Sequence, residues 1–216
     1  MLILMNRRDA VLALLALGAV PRIAGAQQPD RMRQIGVLMG YAEGDPVAQA
    51  QVMAFRQELQ KLGWTDGSNI RIDLRYTTAD PNRIRALAAE VVGLAPDLIV
   101  SNSNLVTAIL KSEARTIPLV FTNVSDPVGS GFVTDLARPA GNITGFANFE
   151  PSMGGKWIEL LNKIAPRTKR IGFVLHPETP PNVGFLKAAE AAAPLLKVKL
   201  TALGVQPFAY GYPRTH

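Results

Sequence analysis

Apolar and polar positions along this chain follow two periods, one typical of strands and one typical of helices. Short apolar runs such as Gln34–Met39 and Leu98–Val100 are typical of buried strands. Residues Ile70–Tyr76 instead alternate apolar with charged side chains, which predicts a strand with one face in solvent. Segments with the strand period and segments with the helix period recur in turn along the chain, so the pattern predicts strands separated by helices.

Two helices carry the same start signal, an aspartate followed by a proline. Asp45–Pro46 and Asp80–Pro81 each supply a side chain that caps a helix and a proline suited to the first turn. Apolar residues then recur at helical spacing over Val52–Leu62 and Ile84–Leu94, and Gly63 is expected to end the first helix. Both segments are therefore predicted helices.

The remaining elements continue this alternation. We expect helices at Leu105–Arg115, Met153–Ile164 and Val183–Leu195, and strands at Ile117–Phe121, Ile143–Phe149, Ile171–Leu175 and Val198–Leu203. Parallel neighbours need long crossovers, and crossover helices cover both faces of a sheet. The predicted fold class is doubly wound α/β, with one lobe over residues 33–147. A second, incomplete lobe over residues 148–216 would leave a sheet edge uncovered.

The N-terminus has the layout of an export signal. Asn6–Arg8 precede the apolar run Ala10–Val20, and small residues follow at Ala24–Ala26. The run is too short to cross a bilayer, and it lacks the polar face that a first helix of the fold would show to water. We expect residues 1–26 to be a signal peptide that directs the chain to the periplasm, by the general or the twin-arginine route.

Composition excludes several classes of protein. The chain has 48% hydrophobic residues, enough for a core, and a formal charge of +6. Without the predicted signal peptide, 20 of the 23 basic and 16 of the 17 acidic residues remain, spread without long runs of one sign. We therefore expect no nucleic-acid partner. Since the sequence contains no cysteine, we expect no disulfide, no thiolate nucleophile and no lipoprotein anchor.

Candidate binding residues lie where the predicted strands end, the edge at which open α/β sheets hold ligands. The segment Ser101–Asn104 offers four small hydrogen-bonding side chains before a helix, which favours an anionic group, although one alone would suffice as a cap. Asp126 has two interpretations, pairing with a ligand ammonium or capping a short helix after Pro127. Tyr41 is expected either to stack on a ligand or to lie on the surface.

Motifs for catalysis are missing from the sequence. It contains no Gly-x-Ser-x-Gly elbow, no Walker phosphate loop, no Gly-x-Gly-x-x-Gly after the first strand and no histidine spacing for a metal. His176 is expected to be a loop residue. We therefore expect a binding protein rather than an enzyme, with no cofactor and no metal.

Several segments resemble a known family. They are Phe55–Trp64, Ile117–Phe121, Ser125–Gly131, Leu136–Gly145 and Trp157–Ile171. Together they are similar to the ABC-transporter substrate-binding family that includes tryptophan- and tyrosine-type receptors. The resemblance implies a type I periplasmic-binding-protein fold, in which two α/β lobes close over an aromatic amino acid or a related small solute. It also implies a cleft lined by Tyr41, Asn102, Ser103, Asn104, Asp126, Asn148 and Glu150.

The function implied is that of a monomeric periplasmic receptor, which closes on its ligand and presents it to a permease in the inner membrane. Three alternatives stay open. A regulator's sensor module would carry an N-terminal helix-turn-helix, and an exported hydrolase would need a nucleophile with a histidine partner. A truncated, inactive receptor is the third, because members of the family extend well past this length. Two departures from the family pattern are Ala140, where a glycine is expected, and Gln206–His216.

Overall fold

A computed structural model describes residues 31–139 and 141–205. The elements in these residues are β1 (Arg33–Met39), α1 (Pro46–Lys61), β2 (Ile70–Tyr76), α2 (Pro81–Gly93), β3 (Leu98–Asn102), α3 (Asn104–Glu113), β4 (Leu119–Ser125), β5 (Ile143–Phe149), α4 (Met153–Ile164), β6 (Arg170–Leu175), α5 (Pro180–Ala192) and β7 (Lys199–Gly204). The predicted signal peptide, Ala140 and Gln206–His216 lie outside the described residues.

Two parallel sheets organise these elements. The larger has five strands in the order β2-β1-β3-β4-β5, and the smaller pairs β6 with β7. Every strand pair runs parallel. This arrangement confirms the predicted α/β class. The strand order changes direction between β1 and β3, where an open α/β sheet forms its ligand crevice.

The two aspartate–proline signals start helices as predicted. Asp45 accepts hydrogen bonds from the N–H groups of Val47 and Ala48, and Asp80 accepts one from the N–H of Asn82. These bonds satisfy donors that a first helical turn leaves free. Gly63 follows α1 with a φ of 88°, which suits a glycine just past a helix end.

Helices cover the larger sheet on both faces. On one face, strand residues such as Leu38, Ile99 and Phe121 pack with Ile84 of α2 and Leu110 of α3 in the main buried cluster. On the other face, Val37 and Met39 of β1 pack with Ala48 and Val52 of α1. Successive residues of β1 therefore enter opposite layers, as the alternation of a strand requires.

Three sequence expectations are corrected by this structure. Ser101–Asn102 belong to β3 and Thr122–Ser125 to β4, although the predicted strands end at Val100 and Phe121. The strands are longer because each continues to pair with its neighbour up to these residues. The residues after Pro127 form turns rather than a short helix. Helix α5 begins at Pro180, before the expected Val183.

The alternation in β2 was expected to give one solvent-facing side, and Asp73 is an exception. Its side chain is buried and accepts hydrogen bonds from Gln34 Nε2 at 2.7 Å and from Arg71 Nη2 at 3.0 Å. Gln34 lies on β1, the neighbouring strand, so this polar pair is a cross-strand contact.

The smaller sheet packs on α4 and α5. Its buried cluster joins Ile158 of α4, Ala189 of α5 and Ile171 of β6. The ring centroid of Trp157 lies 5.1 Å from that of Phe185 and 6.3 Å from that of Phe149, at the end of β5. None of the helices in residues 31–139 and 141–205 is both long and apolar enough to span a membrane.

Candidate ligand-binding site

The carboxyl ends of β1, β3, β4 and β5 meet at one edge of the larger sheet, because these strands are parallel neighbours. The predicted ligand residues lie at this edge or in the residues directly after it: Tyr41, Asn102, Ser103, Asn104, Asp126, Asn148 and Glu150. The structure thus brings together, within one region, side chains that are far apart in sequence.

A chain of hydrogen bonds links three of these strand ends. Asn123 Nδ2 donates to Tyr41 Oη at 3.1 Å, and Asn148 Nδ2 donates to Asn123 Oδ1 at 2.7 Å. Ser125 Oγ donates to Asn148 Oδ1 at 2.9 Å. We call Tyr41, Asn123, Ser125 and Asn148 the rim network. Its hydrogen bonds connect the residues at the ends of β1, β4 and β5.

Asn123 and Ser125 are the two members of the rim network that the sequence did not identify as ligand residues. Both follow the predicted strand Ile117–Phe121, and no single feature distinguished Asn123 from its polar neighbours. The φ of Asn123, 53°, is in the left-handed region, which asparagine tolerates better than most residues. The pairing of β4 with β5 shifts register between Phe121 and Val124. Asn123 lies within this irregular stretch, and its side chain bonds to Tyr41 and Asn148.

Ser103 and Asn104 have structural partners. Ser103 Oγ caps α3 by accepting from the N–H of Val106 at 3.4 Å. Asn104 Nδ2 donates to the backbone oxygen of Ser125 at 2.7 Å and to Ser130 Oγ at 3.1 Å. The side chain of Asn104 therefore ties α3 to β4 and to the turn that follows.

Asp126 directly follows β4 in the chain, and its carboxylate lies near Gly184 of α5. Its N–H donates to the Phe149 oxygen at 2.9 Å, and its Oδ1 accepts from the Gly129 N–H at 2.9 Å. Asp126 therefore acts as a cap, as one of its two interpretations predicts, although the element that it caps is a turn and not a helix. Oδ2 makes no hydrogen bond to any described residue, and a Cβ atom placed on Gly184 would lie only 3.0 Å from it.

Two other candidates have different surroundings. Glu150 is exposed, and its carboxylate has no hydrogen bond or ion pair in the described part of the chain. His176 is bonded locally, since its backbone oxygen accepts from Asn182 Nδ2 at 3.0 Å. No cluster of three or more potential metal-binding side chains occurs among residues 31–139 and 141–205.

A cavity of about 450 Å³ that is open to solvent lies on the α1 face of the sheet, next to the rim network. We call it the α1 cavity. It is lined by Val37, Met39, Gln51, Val52, Ala54, Phe55, Val100, Asn102, Thr122, Asn123, Phe146, Ala147 and Asn148. Apolar side chains from β1, β3 and α1 form its wall, and the rim residues Asn123 and Asn148 form part of its lining. None of the lining side chains carries a charge.

Asn102 is the buried polar residue of this cavity. Its side chain is 3% exposed, and Nδ2 donates to Gln51 Oε1 at 3.2 Å. Oδ1 is buried without a hydrogen-bond partner in the described residues. Buried oxygens of this kind are rare, because most are paired with protein or water.

Residues 37–209 match the family described as ABC transporter substrate binding protein. The chain belongs to this family. A tyrosine-binding protein from Clostridioides difficile strain R20291 is 27% identical to it over 148 residues. That alignment covers 68% of this chain and 42% of the relative.

Solved structures share the fold. A conserved domain protein from Vibrio cholerae is 27% identical, with a TM-score of 0.72. The ligand-free, open structure of a Clostridium difficile substrate-binding protein is also 27% identical, with a TM-score of 0.62. A Streptococcus pneumoniae ABC domain in complex with L-Trp, 22% identical with a TM-score of 0.72, shows likeness of fold. Each match covers 81% of this chain and 58% of the other, so the chain spans little more than half of these relatives.

Proposed function

We propose that this chain captures a small solute for an ABC importer and presents it to the permease in the inner membrane. The observation that supports this most directly is the rim network, in which Tyr41, Asn123 and Asn148 join the ends of separate strands. Open α/β sheets bind ligands at this edge. The family to which the chain belongs supports solute binding as the role of this edge.

The solute we propose is an amino acid or a related small carboxylate. The relative whose name states tyrosine binding supports this class. Within the chain, the start of α3 at Ser103 offers a helix N-terminus, which favours an anionic group. We propose that Asp126 Oδ2, which accepts no hydrogen bond from a described residue, accepts a bond from the ammonium group of the solute.

Capture is proposed to work by closure of two lobes, residues 33–147 and 148–216. The residues between β5 and α4 connect the two sheets, and Asp126 lies at this crossing through its bond to Phe149. A ligand that contacts both lobes binds the closed state more tightly than the open one, so it shifts the population toward closure. The mechanism needs no cofactor, no nucleic acid and no second copy of the chain.

Periplasmic location is part of the proposal. It is supported by the signal-peptide pattern of residues 1–26 and by family membership. Expression of the full chain, followed by fractionation and mass spectrometry of the mature N-terminus, tests it. A mature protein starting near Gln27 in the periplasmic fraction is the expected result, and retention of Met1 or Met5 in the cytoplasm contradicts it.

A thermal-shift screen tests solute capture. Purified chain starting at Gln27 is melted with each amino acid and with small carboxylates. A ligand that binds only the folded state adds about 2.7 kcal/mol at a hundred times its dissociation constant. Asn123→Ala is expected to weaken that shift, because it removes two bonds of the rim network, whereas Asn82→Ala on α2 is not. A cooperative melt that no solute shifts would contradict the proposal.

A further inference from the structure

A second cavity lies at the carboxyl end of β2, beside the residues that follow β1 and the start of α2. It is open to solvent, and its volume of about 550 Å³ falls within the range of small-molecule sites, which is about 300–1,000 Å³. The residues that line it all differ from those of the α1 cavity and of the rim network. We call it the β2 cavity.

Polar and charged groups from three segments line the β2 cavity. Arg75 and Tyr76 belong to β2, Thr77–Thr78 follow it, and Arg83 lies on α2. Glu43, which comes after β1, supplies the carboxylate of the lining. The lining side chains thus carry two positive charges and one negative charge, whereas those of the α1 cavity carry none.

The two guanidinium groups have donors to spare. Arg83 makes no side-chain hydrogen bond or ion pair in the described part of the chain. Arg75 is partly buried, with Nε 3.5 Å from Glu90 Oε2 and Nη1 donating to the Leu74 backbone oxygen at 3.0 Å. Its Nη2 has no partner among the described residues. A guanidinium presents its N–H groups in a plane that matches a carboxylate or a phosphate, so both arginines suit an oxyanion.

The position of Arg83 in α2 is an independent observation in favour of an anion. Helix α2 begins at Pro81, so Arg83 lies in its first turn, and no acidic residue lies in that turn. A helix N-terminus carries a partial positive charge and disfavours a cation beside it. A residue that opposes a local preference in this way indicates a role outside its own helix. An anion held next to Arg83 would remove the conflict.

We propose that the β2 cavity binds a small oxyanion, a carboxylate or a phosphate, with Arg83 as its principal contact and Arg75 as its second. The hydroxyl of Thr78 makes no hydrogen bond in the described part of the chain and supplies a further donor. Glu43 repels the anion and therefore limits its affinity. This site is separate from the solute site of the proposed function and does not depend on it.

Inorganic phosphate and succinate are the probes, and succinamide is the uncharged match for succinate. Titration of the ¹⁵N-labelled chain with either anion at low salt is expected to shift the amide signals of Ala42, Thr77 and Thr78 until they saturate. Added NaCl is expected to weaken binding, because the charges are exposed to solvent. Saturation by one anion alone supports the site and names the oxyanion that it prefers. If neither anion saturates, or if succinamide shifts the same signals as succinate, the assignment is wrong.

Two substitutions in the lining are expected to act in opposite directions. Arg83→Gln is expected to weaken phosphate binding about tenfold, because it removes the principal charged donor. Glu43→Gln is expected to strengthen binding, because it removes the repelling carboxylate. Weaker binding in Glu43→Gln would mean that the cavity selects a cationic group, and it would overturn the proposal.

Arg85→Gln is the matched control. Arg85 lies on the same helix and is exposed, but it does not line the cavity and donates to Asn82 Oδ1 instead. The variant loses the same charge as Arg83→Gln and is expected to keep phosphate affinity within twofold. Equal losses in the two variants would show attraction to a basic surface rather than a site. Thermal melts show whether each variant keeps its fold.

The rim network separates this inference from the proposed function. Asn123→Ala is expected to leave phosphate binding unchanged, and Arg83→Gln is expected to leave the thermal shift with a captured solute unchanged. Loss of phosphate binding in Asn123→Ala would place the anion at the rim network and overturn the β2 site. If phosphate binds as expected while no solute shifts the melt, the β2 site stands and the proposed function is wrong.

Discussion

The side-chain amide of Asn104 bonds twice to the backbone of Ser125. Nδ2 donates to the Ser125 oxygen at 2.7 Å, and Oδ1 accepts from the Ser125 N–H at 2.9 Å. The second hydrogen of Nδ2 is directed to Ser130 Oγ at 3.1 Å. Both donors of the amide are thus in use, and Asn104 holds the start of α3 against the last residue of β4.

Asn104→Ala is expected to lower the free energy of unfolding by about 1–3 kcal/mol, because it leaves the partly buried N–H and oxygen of Ser125 without these partners. Urea denaturation monitored by circular dichroism measures the change. Asn82→Ala, on the exposed start of α2, is expected to stay within about 0.5 kcal/mol. Unchanged stability combined with weaker solute binding would instead assign Asn104 to ligand contact.

Gly145 of β5 lies directly against Phe121 of β4, its partner in the sheet. A Cβ atom added there would lie 2.1 Å from the Phe121 backbone oxygen and 2.5 Å from its ring. Gly145→Ala therefore forces the two strands apart, and we expect a loss of about 1–3 kcal/mol of unfolding free energy, as for other overpacked sites.

Gly93 provides the matched control for this change. It lies in the last turn of α2, and a Cβ atom there would meet nothing within 4 Å. Gly93→Ala is expected to raise stability by about 0.4–1 kcal/mol, since alanine restricts the unfolded chain. If the two variants had similar denaturation midpoints, the close approach of β4 and β5 would be disproved.

Local patterns were sufficient to predict the order of strands and helices, because each pattern depends on residues within one element. The caps at Asp45 and Asp80 were predictable for the same reason, because each bonds to the first turn of its own helix. Contacts between elements were not predictable in this way. The burial of Asp73 depends on Gln34 of the adjacent strand, and the role of Asn123 depends on a register shift between β4 and β5. A single sequence contains no local signal for either.

The same distinction applies to the candidate site. Small polar residues at strand ends predicted a ligand edge that includes Tyr41 and Asn102, and the family resemblance added Asn148. The structure brings these three residues to one edge of the sheet, and their contact with a ligand stays a prediction. The sequence did not distinguish a side chain used for architecture, such as Asn104, from one with an unpaired atom, such as Asn102. That difference becomes visible only when the hydrogen-bond partners of each residue are known.

Asp45 is predicted to stabilise α1 more than Asp80 stabilises α2. Asp45 accepts from two backbone N–H groups, at 2.8 Å and 3.3 Å, and Asp80 accepts from one at 2.9 Å. We expect Asp45→Ala to cost about 1–2 kcal/mol and Asp80→Ala about 1 kcal/mol. Chemical denaturation of both variants in parallel measures the difference, and a larger effect at Asp80 would contradict this ranking.

Asn142 lies in the segment Leu136–Gly145, one of those that resemble the family most specifically. Its contacts give a structural reason for an asparagine at this position. Its Nδ2 donates to the backbone oxygens of Ala114 and Ile117, both at 2.7 Å. These oxygens belong to the connection between α3 and β4, so Asn142 fastens that connection to the start of β5. Its place in the motif follows from the fold and requires no contact with a ligand.

Two substitutions at Asn142 separate loss of the donor from repulsion. Asn142→Ala leaves two partly buried oxygens unpaired, and we expect a cost of about 1–3 kcal/mol. Asn142→Asp is expected to cost more, because a carboxylate places negative charge against the same two acceptors. The matched change Asn82→Asp, in the first turn of α2, is expected to be neutral or slightly stabilising, since a helix N-terminus favours negative charge. Urea midpoints at neutral pH measure all three variants. An Asn142→Asp variant as stable as Asn142→Ala would show that these oxygens are hydrated rather than held by the side chain.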